Sequence, residues 1–132
     1  MAYLGGCFCG EIRFRSDSEP VEKGYCHCSI CRKTTGAPVL AFASFRVEGF
    51  TYTKGEPKIF KSSSRGQREF CGTCGTQICF RESEMATTVD VNSGALDEPD
   101  AVAPDHHIYT SSRLEWLRFA DQLPEHQNEL ES

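Results

Sequence analysis

Eight cysteines in 132 residues constrain this chain more than any other feature, because that density implies either a disulfide framework or bound metal. They fall in tight groups: Cys7 and Cys9, then Cys26, Cys28 and Cys31, then Cys71 and Cys74, with Cys79 alone. The opening Met1-Ala2-Tyr3-Leu4-Gly5-Gly6 has neither the basic region nor the apolar run of an export signal. A cytoplasmic, reducing location is therefore expected, where thiols persist and structural disulfides do not. The longest apolar stretch, 37–45, is too short to cross a bilayer. Metal is the expected use of the sulfurs.

The length suits one domain spanning 1–132, with a polar tail from about 124 to 132 expected to fray. The apolar pattern is mostly of period two, as in Glu11-Ile12-Arg13-Phe14-Arg15, Phe50-Thr51-Tyr52-Thr53 and Thr88-Val89-Asp90-Val91-Asn92, which predicts half-buried strands. Residues 39–45 are more continuously apolar and predict a strand buried on both faces. Further short strands are expected over 58–61, 67–71 and 77–81, with glycines marking the turns between them. Only 29–35 invites a helical turn, with Ser29 as its cap. A Pro- and Asp-rich loop over 97–107 precedes Ile108-Tyr109 and an amphipathic stretch around Trp116. The fold class is all-β with short strands, in which metal staples supplement a small core.

Cys71-Gly72-Thr73-Cys74-Gly75 reads as a zinc knuckle, a turn that aims two sulfurs at one ion. The disulfide-exchange reading of C-x-x-C needs a βαβ context, which this pattern lacks. Cys7 and Cys9, two apart on an extended segment, project to one side and complete a four-cysteine site with the knuckle. Cys26, Cys28 and Cys31 surround a second ion with three ligands and one open position, the arrangement of a catalytic rather than a structural zinc. The vacancy suits water or a thiol deprotonated by the metal. His27 alternates with its neighbours and is expected to point away from that ion. Cys79 reads as a buried small hydrophobe; the alternative is that it closes the second site. Arg32 and Lys33 are candidate contacts for substrate carboxylates. With two zinc sites loaded, the formal charge of −5 becomes roughly −8, and no basic stripe offsets it, so nucleic acid is not an expected partner.

The ordered motifs Gly6-Cys7-x-Cys9-Gly10, Cys26-His27-Cys28-Ser29-x-Cys31-Arg32, Thr35-Gly36-Ala37, Phe70-Cys71-x-x-Cys74-Gly75-Thr76, Gly94-x-Leu96-Asp97, Pro104-x-x-His107-Ile108, and Trp116 with Asp121-x-Leu123-Pro124 cover nearly the whole chain. Together they resemble the glutathione-dependent formaldehyde-activating family, which also includes centromere protein V. The resemblance implies a compact zinc-stapled domain of several small coiled antiparallel sheets. It implies structural zinc at Cys7, Cys9, Cys71 and Cys74, and catalytic zinc at Cys26, Cys28 and Cys31. Cys79 departs from the family pattern, whose strand carries other residue types there.

The function this implies is carbon–sulfur lyase chemistry: formation or breakdown of an S-hydroxymethyl adduct between glutathione, or a similar thiol, and formaldehyde or a related aldehyde. His107 would orient the substrate or shuttle a proton; a structural histidine is the competing reading, and His106 beside it shares the position. Two readings from other classes stand next to the enzyme. One is a carrier that binds a thiol without turnover, and the other is an interaction module in which both zincs are structural. Ligand-accessible metal separates the last from the first two, and turnover above the unaided reaction separates enzyme from carrier.

Overall fold

Alternating apolar side chains need a surface to cover them, and here two sheets cover each other. The computed structural model describes residues 2–83 and 85–130. Its strands are β1 (Tyr3–Gly6), β2 (Arg13–Ser16), β3 (Glu22–Cys26), β4 (Leu40–Arg46), β5 (Phe50–Lys54), β6 (Lys58–Lys61), β7 (Gln67–Phe70), β8 (Gln77–Arg81), β9 (Thr88–Asn92) and β10 (His107–Ile108), with the helix α1 (Ser29–Thr35) between β3 and β4. The protein is thus mostly β with short strands, as expected. One sheet runs β1-β2-β5 and the other β10-β3-β4-β9-β8-β7-β6. All pairings are antiparallel except β10 with β3, a parallel pair made possible by the long excursion between the two strands.

The larger core gathers Ile12 and Phe14 from the first sheet and its flank with Phe45, Ile78, Val89 and Val91 from the second. Tyr3 packs on Phe45 with ring centroids 5.3 Å apart, and Phe14 on Phe50 at 5.4 Å. A smaller core of Cys26, Cys31, Phe42 and Ile108 lies apart from it. β4 serves both, sending Phe42 to the small core and Ala43 and Phe45 to the large one. Burial on both faces explains its nearly continuous apolar run, interrupted at Ser44.

Two local expectations are corrected. The cap of α1 is Cys28, not Ser29: extended at ψ 150°, Cys28 offers its sulfur to the Cys31 N–H. The amphipathic stretch around Trp116 forms turns, with Trp116 exposed. The segment 124–128, expected to fray, instead runs beside β10. His107 donates its N–H to Pro124 O and accepts from His126 N–H, each at 2.8 Å, and Tyr109 donates to Asn128 O at 3.1 Å. The free edge of a two-residue strand supplies the groups that hold it. The last two residues of that expected tail, 131 and 132, lie outside the described residues. Among the described residues no helix is long and apolar enough to cross a membrane.

Candidate metal centres

Cys7, Cys9, Cys71 and Cys74 bring their four sulfurs within 4.8 Å of one another. The β1–β2 turn supplies the first pair and the β7–β8 turn the second. Each pair is followed by a glycine with a φ of 82°, Gly10 and Gly75, a left-handed conformation that lets the turn curl back without a Cβ penalty. Backbone amides face the sulfurs: Ile12 N–H donates to Cys7 Sγ at 3.2 Å, and Thr73 and Cys74 N–H to Cys71 Sγ at 3.3 and 3.4 Å. Thr76 Oγ1 lies 3.2 Å from Cys74 Sγ and accepts the Phe8 N–H, tying the two turns together. That hydroxyl contact leads the effects that lower the Cys74 thiol to about 5. Sulfur–sulfur distances of 3.6 Å (Cys7–Cys9) and 3.7 Å (Cys9–Cys71) fit a tetrahedral zinc–thiolate group, whose edges are about 3.8 Å.

Cys26, Cys28 and Cys31 form the second cluster. Cys26 ends β3, Cys28 caps α1, and Cys31 lies in its first turn. Cys26 and Cys31 sulfurs are 3.4 Å apart. Hydrogen bonds from Cys26 and Cys31 lower the Cys28 thiol, while Cys26 is pushed up. Thiolates this close suit a soft or borderline cation such as zinc. No fourth histidine, cysteine or carboxylate joins them among the described residues.

The three sulfurs border a cavity of about 480 Å³. Its floor is one cross-strand row: Arg68 pairs with Phe80, Phe80 with Asp90, Asp90 with Ser44, and Ser44 with Glu22. All five line the cavity, as the pleat requires of residues in direct register. Arg68 is 6% exposed, lies over the Phe80 ring at 4.6 Å, and points both terminal nitrogens at Cys31 Sγ, each 3.8 Å away. Asp90 accepts a short hydrogen bond from the Ser44 hydroxyl. Burial, with Glu22 and Glu82 nearby, pushes its carboxyl up to about 6, against the Ser44 hydrogen bond and Arg68.

The residues expected to contact substrate lie elsewhere. Arg32 donates to Ser112 O at 3.0 Å and to His27 O at 3.4 Å, binding α1 to the following turns. Lys33 is exposed, and neither residue borders the cavity. His107 is fully buried, also away from the cavity. It joins His27 Nε2 at 2.9 Å through Nδ1 and Asp121 at 3.0 Å through Nε2, and it stacks on Tyr25. His27 faces this chain and not the sulfurs, and burial, then His107, lowers it to about 4. His106 sits between Glu22 and Asp105 at 2.9 and 2.7 Å. Cys79 is buried outside both clusters, donating to Glu69 at 3.4 Å within a group that includes Tyr52 and Arg81. Arg68 and Asp90 escaped sequence reasoning. Alternation places each on the face opposite its apolar or core-directed neighbours, but not what covers that face.

The family model described as glutathione-dependent formaldehyde-activating enzyme matches residues 2–112. A Halomonas elongata protein named "Putative glutathione-dependent formaldehyde-activating enzyme" is 29% identical over 126 residues, covering 89% of this chain and 80% of its own. A Schizosaccharomyces pombe protein named as an uncharacterized lyase is 24% identical over 120 residues, with 91% and 87% covered. The crystal structure of a Rhodobacter sphaeroides protein superposes with a TM-score of 0.59 at 19% identity, over 92% of this chain and 98% of that one, a likeness of fold.

Proposed function

This chain belongs to the glutathione-dependent formaldehyde-activating family, and on that premise we propose that it is a zinc-dependent, carbon–sulfur lyase-type enzyme. It makes or breaks the S-hydroxymethyl adduct of a thiol, glutathione or a close analogue, with formaldehyde or a related aldehyde. Cys7, Cys9, Cys71 and Cys74 hold a structural zinc, and Cys26, Cys28 and Cys31 a catalytic one. The observation that carries this reading is the contrast between the clusters: four sulfurs complete the first, whereas three sulfurs border the cavity in the second.

A zinc ion held by Cys26, Cys28 and Cys31 would supply a Lewis acid and would favour the thiolate form of a thiol substrate. The remaining work falls to the chain itself. The cavity holds thiol and aldehyde together, converting a bimolecular encounter into a local one. As the carbon–sulfur bond forms, the carbonyl π pair passes to oxygen, which takes a proton to become the hydroxyl; breakdown reverses this. Asp90, with its carboxyl raised to about 6, is the cavity group suited to lend and recover that proton near neutrality.

Calorimetric titration of the zinc-loaded protein with glutathione and with S-methylglutathione tests the reading. The free thiol should bind, more weakly as pH falls because protons compete for its thiolate, and the methylated control should not. Equal binding of both would sink the proposal. Exchange rates between formaldehyde and its glutathione adduct, followed by NMR, then separate an enzyme from a carrier that binds without acceleration.

A further inference from the structure

Arg68 presents a cation where a cation needs a reason. It is 6% exposed, and among the described residues no carboxylate lies within ion-pairing distance of it. Its contacts are the Ser62 hydroxyl at 3.3 Å, the face of Phe80, and Cys31 Sγ. Taking a guanidinium out of water is unfavourable unless an anion faces it. The nearest anion is the cysteine trio, whose Cys31 sulfur sits in the fork between the two terminal nitrogens; Asp90, whose carboxyl Arg68 also acts on, lies beyond ion-pairing distance.

We propose that Arg68 is the counter-cation of the three-cysteine centre and sets its preference for an anionic over a neutral fourth ligand. Three thiolates with a divalent ion leave a net charge of about −1, and an incoming thiolate makes it about −2. In a partly enclosed cavity that second negative charge is disfavoured, because solvent screens it poorly. Arg68 returns the centre to a single negative charge. A neutral ligand such as imidazole adds no charge and gains nothing from it. Arg68 touches a ligand of the metal rather than substrate, so it is a positioning residue. The geometry stands without the thiol chemistry proposed above, but the preference for thiolate rests on that reading.

The test uses the zinc-loaded full chain, with Arg68→Lys and Arg68→Gln. Measurements are glutathione and imidazole affinity by calorimetry, zinc release to a chelator, and thermal melting. Arg68→Gln should weaken glutathione binding by about tenfold or more, leave imidazole binding unchanged, and release one zinc equivalent faster. Arg68→Lys should recover most of each loss because it restores charge without the fork. Equal glutathione affinity and zinc release in wild type and Arg68→Gln would overturn the inference. So would equal damage in both variants with a lowered melting temperature, which marks a packing role. If wild type binds no glutathione, but Arg68→Gln releases zinc faster and Arg68→Lys does not, the thiol reading falls and the counter-cation stands.

Discussion

Cys28 Sγ accepts the Cys31 N–H at 3.3 Å, so one sulfur both caps α1 and belongs to the cavity-facing trio. Serine at this position keeps a cap and loses a soft ligand, whereas alanine loses both. Cys28→Ser and Cys28→Ala should each lose one zinc equivalent and all glutathione binding, while the fold survives on the four-cysteine centre. The alanine variant should be less stable than the serine variant by about 1 kcal/mol. Zinc analysis paired with denaturant melts checks both statements. Two equivalents retained in Cys28→Ala would remove Cys28 from the site.

The four-cysteine cluster joins the β1–β2 turn to the β7–β8 turn, although Cys9 and Cys71 are 62 positions apart in sequence. A metal ion bound there would contribute its binding free energy to folding. Cys71→Ser or Cys74→Ser should therefore yield an unfolded or insoluble chain. A soluble Cys74→Ser protein melting like wild type with full zinc content would refute the structural role.

Cys79 is a different kind of cysteine. Burial, then the Glu69 carboxylate, pushes its thiol up, and it donates to Glu69 rather than facing metal. Cys79→Ala should keep both zincs and cost about 1 kcal/mol, since Tyr52, Gln67 and Arg81 still satisfy Glu69. In the native protein Cys79 should resist alkylation until global unfolding. Loss of a zinc equivalent in Cys79→Ala would count against this assignment.

What the sequence discloses about these centres is what short spacing controls. The C-x-C, C-x-x-C and three-in-six patterns set their own geometry, and the alternations in β2, β5 and β9 announce their strands. β3 hides because Gly24 breaks its pattern; a Cβ there would come within 2.8 Å of the His106 ring. The cavity floor hides for another reason. Arg32 and Lys33 adjoin Cys31 along the chain but not across the cavity, whereas Arg68 reaches Cys31 through sheet register from 37 residues away. Register between distant strands, including the irregularity between Glu69 and Phe70, depends on the whole fold.

His106 should make stability depend on pH. Although burial lowers its pKa, hydrogen bonds to Asp105 and Glu22 raise it on balance above the ordinary histidine value, with His126 against its ring at 5.9 Å. A group with a raised folded pKa binds protons more tightly when folded. Its contribution is complete below the unfolded pKa of about 6.5 and disappears as pH rises through the folded value. The melting-temperature gap between wild type and His106→Gln should be widest below about pH 6.5 and narrow above it. A gap that stays constant would contradict the ion-pair account.

Asp90 shifts stability with pH in the same direction, but through desolvation of its carboxylate rather than through an ion pair. Its carboxyl is pushed up to about 6, above the unfolded value of about 3.9. The folded state therefore holds the proton more tightly, and ionising Asp90 opposes folding. That penalty is absent below about pH 4, grows between the two pKa values, and is complete above about pH 6. In the variant Asp90→Asn the amide oxygen can still accept from Ser44, but the side chain carries no charge. Asp90→Asn should be more stable than wild type near pH 7.5, by on the order of 1–2 kcal/mol, and the advantage should fade toward pH 4. If Asp90 lends the proton to the aldehyde oxygen, the same change should slow adduct exchange by about 100-fold, the usual scale of a lost acid–base group. Glutathione binding should persist, because the sulfur-holding cysteines are untouched. Stability gained with exchange lost would place Asp90 in the chemistry at a cost to the fold. Stability gained with exchange unchanged would leave it a strained carboxylate and return the proton to solvent.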